Sequence, residues 1–243
     1  MSKVIGIIPA RWASVRFPGK PLHLIAGKPM LQHVWERACR AKTLDAVIVA
    51  TDSMEIAEAA FAFGAEVALT SPKHPSGTDR IAEVAKHIAG AKLIVNIQGD
   101  EPMLDPKLVD RVVKAALNRP ECGITTASAP LAEAADFSNP NVVKVVTDQG
   151  GCALYFSRAG IPCGRDAEPA SALLRRHLGI YVFRRKTLLD FVRWKPSPLE
   201  CTEKLEQLRA LENGVRILVV PVKSATHGID TPEDARKMEA ALL

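Results

Sequence analysis

The chain has no apolar run long enough to cross a bilayer. Across its 243 residues, the longest apolar stretches, Val4 to Ala10 and Arg216 to Val222, are cut by charge, Gly or Pro far short of the roughly 20 residues a spanning helix needs. A secretory leader pattern is missing too: Lys3 alone precedes a short run that ends at Pro9, and no small-residue cleavage site follows. A cytoplasmic location without membrane insertion is therefore expected. Aromatic residues are scarce, at 5%, which argues against a base-stacking surface. Although the net charge is +5, Lys and Arg are spread along the chain rather than gathered in a tail, so no nucleic-acid partner is expected. The cysteines, Cys39, Cys122, Cys152, Cys163 and Cys201, are odd in number and scattered. With no CxxC pair and no zinc-type histidine spacing they read as ordinary reduced thiols. Neither GxGxxG nor GxxxxGK followed by Ser or Thr occurs, which removes the main support for dinucleotide-binding and P-loop readings.

What is present is a regular alternation. With 47% hydrophobic residues the chain can bury one large core, or one core with a smaller lobe. Val4 to Ile8 reads as a strand, Met30 to Ala41 as a helix, Ala46 to Ala50 as a strand and Met54 to Phe63 as a helix. A strand near Glu66 to Leu69 follows, then a helix from Thr78 to Ala89, the strand Leu93 to Ile97, and a helix after Pro106 that ends before Pro120. Beyond this the pattern loosens, with strands near Val142 to Val146, Ala153 to Phe156 and Leu178 to Phe183. Helices over Lys186 to Trp194 and Pro198 to Asn213, a strand at Arg216 to Val220 and a closing helix after Pro232 complete it. The fold class expected is α/β: a mostly parallel, Rossmann-like sheet with helices on both faces, plus a smaller, less regular α+β lobe. In such sheets ligands bind beyond the carboxyl ends of the strands.

Two post-strand segments carry the chemistry. IPARWASVRFPGKPL, Ile8 to Leu22, sets Arg11, Arg16 and Lys20 on a loop stiffened by Pro9, Pro18, Gly19 and Pro21. Three cations directly after the first strand suit the roughly four negative charges of a triphosphate; a solvated basic loop is the alternative. VNIQGDEPM, Val95 to Met103, runs a strand into Gln98, Gly99, Asp100 and Glu101. Gly99 permits close backbone approach, and a carboxylate at a strand end can hold magnesium; Glu101, ahead of Pro102, also reads as a helix-start acid. Asp230, in HGIDTPEDA, is the natural second metal ligand and equally a helix N-cap. His177 and Tyr181 share one side of a strand, where a satisfied core histidine is the alternative.

These segments, together with HPSGTDRIAE, LYFSRAGIP, RHLGIYVFR, WKPSPLE and LEQLRAL, resemble in order and from end to end the 3-deoxy-manno-octulosonate cytidylyltransferases, or CMP-Kdo synthetases. The phosphate loop and QGDEP are shared with sialic acid cytidylyltransferases; RHLGIY with LEQLR is more particular to the Kdo family. The resemblance implies a single nucleotidyltransferase domain over residues 1–243, with an acceptor-sugar and dimerisation lobe over about residues 135–200. It implies CTP and Kdo as substrates, Mg2+ as cofactor, a homodimer and a role in lipopolysaccharide biosynthesis. Arg11, Arg16 and Lys20, with Asp100, would be catalytic. Pro9, Ala10, Ser76, Gly77, Thr78 and Arg80 would complete the nucleotide site. Gln98, Arg158, His177, Tyr181, Glu206 and Gln207 would line the Kdo pocket, with Arg158 facing the sugar carboxylate, and Asp100 and Asp230 would hold the metal. Trp12 stands where Tyr is common and Cys163 where Trp is common, and the loop from Pro162 to His177 is short. These departures touch the acceptor side and leave the nucleotide chemistry intact, so 8-amino-Kdo or a sialic acid stays open as acceptor; a protein that binds CTP without turnover is the alternative of another class.

Overall fold

The computed structural model describes residues 3–12, 17–166, 170–224, 228–229 and 231–242. The chain divides into two compact units, Met1–Asp110 with Thr226–Leu243, and Arg111–Ala225.

In the first unit, β1 (Lys3–Ala10), β4 (Ala46–Thr51), β5 (Glu66–Leu69) and β6 (Ala91–Asn96) pair in parallel in the order β6-β1-β4-β5. Val4 to Ile8 are buried without a break, as expected of a parallel strand covered on both faces. The connecting helices are α1 (Met30–Ala38), α2 (Met54–Ala62) and α3 (Gly77–His87). The steps β1 to β4 and β4 to β5 move in one direction across the sheet, and β5 to β6 returns the other way past β1. Because parallel crossovers are right-handed, the return sets α3 on the face opposite α1 and α2. Strand order therefore reverses between β1 and β6, which is where open α/β sheets bind ligands.

A hairpin, β2 (Leu24–Ile25) with β3 (Lys28–Pro29), turns through Ala26 and Gly27 at φ 47° and 77°. Phe17, Ile25, Met30, Ile229 and Ala235 bury together, with Met238 packed against them. This cluster fastens the loop after β1 and the start of α1 to the closing helix α8 (Pro232–Leu242).

α4 (Pro106–Asn118) leads the chain into the second unit, where β7 (Ile124–Pro130) runs parallel to β11 (Ile217–Pro221) and antiparallel to β10 (Arg175–Arg184). β8 (Lys144–Thr147) pairs antiparallel with β10 and with β9 (Ala153–Ser157). The helices are α5 (Arg185–Phe191), α6 (Pro198–Glu203) and α7 (Gln207–Glu212). The sequence pattern suggests one helix from Pro198 to Asn213. The structure breaks it at Lys204, whose φ of 54° lies in the left-handed region. β7 is a strand the pattern did not indicate.

Irregular chain in this unit is held by buried cations. Lys144 is fully buried, and its ammonium donates to the carbonyls of Asn139, Val142 and Arg158 at 2.9, 2.6 and 2.6 Å, using all three of its protons. Burial lowers its pKa. Lys144→Met keeps the stem's packing but takes the ammonium from the Val142 and Arg158 carbonyls and leaves Asn139 O only its bond from Val142 N, and is expected to cost about 2–4 kcal/mol in denaturant unfolding. A loss below about 0.5 kcal/mol, the scale of ordinary surface changes, would show that this bracing contributes nothing.

Candidate functional site

At the reversal between β1 and β6, Ile97 N donates to Ile7 O at 3.0 Å, carrying the β6 chain alongside β1 past its last paired residue. A side chain at Gly99 would put its Cβ 3.1 Å from the Pro9 carbonyl oxygen, so glycine lets the two backbones come closer here than another residue would. Asp100 follows. Its Oδ2 accepts from Lys20 Nζ at 2.8 Å, a bond spanning 80 positions of sequence. Lys20 opens a 3₁₀ turn, Lys20–Leu22, preceded by Gly19 at φ 67°; the edge of the Trp12 ring lies 3.6 Å from where a Gly19 Cβ would be. The Lys20 side chain is 12% exposed and that of Asp100 36%. Among the described residues, none hydrogen-bonds Asp100 Oδ1. Asp100 O accepts from Ile229 N at 2.8 Å, which ties the chain just before position 230 to this point. Arg11 is exposed at the end of β1. Arg16 and Asp230 lie outside the described residues.

The amino end of α3 abuts the same strand ends. Gly77 meets the Pro9 ring, 3.3 Å from a would-be Cβ. Ser76 caps the helix by accepting from Asp79 N at 3.2 Å. Thr78 is buried. Arg80 is 3% exposed and donates to Asp52 Oδ2 at 3.0 Å and to Thr70 Oγ1. Its guanidinium thus links α3 to the chain leaving β4 and β5. Gln98 is half-buried beside Gly99.

In the second unit, His177 and Tyr181 lie on one face of β10, their rings 5.3 Å apart, across an irregularity between Leu178 and Tyr181. Phe156 packs edge-on to His177 at 5.0 Å, and the aromatic row continues through Phe183, Phe191 and Trp194. Thr126 Oγ1 lies 2.8 Å from Ile180 O and 3.1 Å from Leu178 O. Both are acceptors and take the hydroxyl's one proton, so Thr126 can only accept from His177 Nε2, 3.0 Å away. The imidazole is therefore protonated at Nε2 and presents Nδ1 as an acceptor. Burial pushes its pKa down to about 3. The Tyr181 phenol is raised by burial and, less, by Glu206. Gln207 is buried at the start of α7.

The Arg158 guanidinium is largely committed to its own unit. Nε donates to Glu203 O at 2.6 Å, Nη1 to Pro140 O at 2.8 Å and Nη2 to Lys204 O at 3.3 Å. Two of its five N–H groups remain. Sequence reasoning passed over Thr126, because β7 was not read as a strand. It also passed over the Glu200–Arg209 ion pair, with bonds of 2.5 and 2.7 Å, in which Arg209 lies 4.5 Å over the Phe191 ring and braces α6 against α7 beside Glu206 and Gln207. The acid at 200 and the base at 209 were visible, but nothing in their spacing signals a pair.

Residues 5–217 match the family model described as cytidylyltransferase. The chain is 51% identical to the 3-deoxy-manno-octulosonate cytidylyltransferase of Pseudomonas syringae pv. syringae (strain B728a), over 97% of this chain and 96% of the relative. Identity to the enzyme of the same name from Geobacter sulfurreducens is 48%, over 97% of each. A solved CMP:2-keto-3-deoxy-manno-octonic acid synthetase complexed with CTP superposes with a TM-score of 0.95 at 40% identity, covering 99% of this chain and 98% of that one. The 4-diphosphocytidyl-2C-methyl-D-erythritol synthase of Anaerococcus prevotii shares the fold at a TM-score of 0.68 and 14% identity.

The His177 environment sets a pH dependence. Its folded pKa, about 3, lies below the ordinary 6.5. The neutral ring's contribution to stability is therefore complete above about pH 6.5 and is lost as pH falls toward 3. Unfolding free energy measured from about pH 7.5 to about pH 4.5 should fall more steeply in the parent than in His177→Gln. Equal slopes, or an imidazole that titrates near 6.5 by NMR, would refute the neutral ring.

Proposed function

The chain belongs to the cytidylyltransferase family, and we propose that it transfers the cytidylyl group of CTP to the C2 hydroxyl of 3-deoxy-manno-octulosonate, giving CMP-Kdo and pyrophosphate for lipopolysaccharide biosynthesis. The observation that carries the reading is the Lys20–Asp100 pair at the strand reversal, in a chain 51% identical to an enzyme of that name over almost its whole length.

Arg11, Arg16 and Lys20 bind the triphosphate, three fixed positive charges against about four negative ones. Pro9, Ala10, Ser76, Gly77 and Thr78 line the nucleotide side, and Arg80 holds the α3 end rigid there through Asp52 and Thr70. The Kdo hydroxyl attacks the α-phosphorus in line and gives its proton to solvent; the bond to the bridging oxygen breaks and pyrophosphate leaves, with no covalent enzyme intermediate. Lys20 neutralises charge on the departing phosphates. On the acceptor side, His177 Nδ1 accepts from a sugar hydroxyl, and Tyr181, Glu206 and Gln207 supply further polar contacts. The two uncommitted N–H groups of Arg158 are directed to the sugar carboxylate.

The donor set suits magnesium. One carboxylate with an open oxygen, beside a site for phosphates, is how this small hard cation is usually held, the remaining positions going to substrate oxygens and water. Asp100 and Asp230 are the residues that would hold it. When bound, the ion neutralises phosphate charge and makes the attacking hydroxyl more acidic.

The protein acts in the cytoplasm as a homodimer; among the described residues no helix is long and apolar enough to cross a membrane, and exposed Leu154, Leu173 and Leu199 in the second unit offer apolar surface for a second copy. Pyrophosphate release from CTP with magnesium and a panel of Kdo, 8-amino-Kdo and sialic acid should be fastest with Kdo; a preference for either other sugar would overturn the acceptor, and no release with any would overturn catalysis.

Asp100→Asn and Lys20→Ala should each lower turnover by about a hundred-fold or more at saturating magnesium. The thermal midpoint should hardly move, because a part-exposed ion pair contributes only about 0–1 kcal/mol. Turnover within a few-fold of the parent in Asp100→Asn would remove Asp100 from the metal site.

A further inference from the structure

Cys122 and Cys152 stand apart from the residues that serve transfer. Cys122 sits in the turn before β7, and Cys152 just before β9, in an isolated bridge with Leu218 of β11. Both are buried and form a small cluster with Leu218. Their sulfurs are 3.8 Å apart, although the residues are 30 positions apart in sequence. Two guanidinium groups reach the same sulfur: Arg216 Nη2 is 3.5 Å and Arg119 Nη2 3.9 Å from Cys152 Sγ. Arg216 is exposed and Arg119 about one-third exposed, its Nε on Glu121 at 2.6 Å and its Nη1 on Gly150 O at 3.0 Å. Cys39, Cys163 and Cys201 are exposed.

We propose that Cys122 and Cys152 are a modification site, a dithiol that hydrogen peroxide converts reversibly to an intramolecular disulfide. The arginines divide the roles. Cationic donors stabilise a thiolate, and Cys152 has two of them, so Cys152 is the attacking sulfur. Its neighbour is the resolving thiol: burial, and then the Cys152 thiol beside it, push Cys122 up to about 11, so it stays protonated until it reacts.

The Cys152 thiolate attacks one peroxide oxygen, the O–O bond breaks, and hydroxide leaves and takes a proton to become water. Cys152 is now a sulfenic acid. Cys122 gives up its proton and attacks that sulfur, and the sulfenic hydroxyl leaves as the second water. Two thiols lose two electrons and two protons, and one peroxide becomes two waters. A low-molecular-weight thiol restores both thiols by exchange. The disulfide closes a loop of about 30 residues that ties the turn before β7 to the start of β9, so the oxidised form is the more stable one.

The test treats the full-length protein with hydrogen peroxide and maps its thiols by mass spectrometry after alkylation under denaturing conditions. A Cys122–Cys152 cross-linked peptide should appear, lighter by two hydrogens, and dithiothreitol should reverse it. The thermal midpoint should rise on oxidation by about 5 °C. Cys122→Ser should leave a sulfenic acid at Cys152 that dimedone traps. Cys152→Ser should give neither product, and Arg216→Gln, which leaves both thiols in place, should slow cross-linking about tenfold. Recovery of Cys122 and Cys152 as free thiols while Cys39, Cys163 or Cys201 oxidises would overturn the proposal. So would cross-linking at the parent's rate in Arg216→Gln.

Discussion

A parallel strand that must re-enter the sheet through a right-handed crossover has no choice of face, and in the first unit this rule sets β6 beside β1 with α3 behind them. The loop after β1 and the turn after β6 then leave neighbouring strand ends. Side chains 80 positions apart in sequence, Lys20 and Asp100, come within 2.8 Å. The approach has to be tight for this to work. Gly99 supplies that tightness by letting its backbone come close to the Pro9 carbonyl, 3.1 Å from where a Cβ would sit. Arg80 completes the frame, since its buried guanidinium fixes the amino end of α3 to the chain beyond β4 and β5.

The second unit solves a different problem. Its chain is less regular, so some carbonyls lie outside ladders and helices and others have a lone pair to spare, and leaving such groups buried and unpaired would be costly. Long cationic side chains fill the gap. Lys144 collects three carbonyls. Arg184 takes those of Ala116, Arg119 and Cys122 at the end of α4 and the turn after it. Arg175 takes those of Ser128 and Val222, and Arg158 those of Pro140, Glu203 and Lys204. Part of the positive charge in this half therefore works inward on the backbone.

This inward use of charge also marks where the sequence could be read and where it could not. The first unit was legible because its elements keep clean periods, so β1, α1, β4, α2, β5, α3 and β6 fall close to their expected spans, and charge at strand ends singled out Lys20 and Asp100. β7 was not, because Ile124–Pro130 reads ITTASAP, a strand of small and hydroxyl residues whose burial the pattern does not betray. Thr126 was lost with it, and so was the hydrogen bond that fixes His177. The break at Lys204 was hidden for another reason: no Gly or Pro marks it, yet the residue takes a left-handed φ of 54°. For Arg80 and Arg158 the residue could be picked from sequence, but the partners of its guanidinium could not, since those are set by chain segments distant in sequence.

The weakness of the Lys20–Asp100 pair is itself informative. A buried, fully enclosed ion pair would lose several kcal/mol if one partner were drawn away. This one keeps Asp100 36% exposed, and an ion pair open to water contributes only about 0–1 kcal/mol. Each charge holds the other in place, and neither is left to collapse onto a wrong partner. On the proposed function, arrival of a polyanion and its counter-cation would offer Lys20 phosphate oxygens and Asp100 a positive charge, so both members would exchange one ionic contact for another at little cost to the fold. A strand end built this way can be ordered before the nucleotide binds and still give up its internal contact when it does.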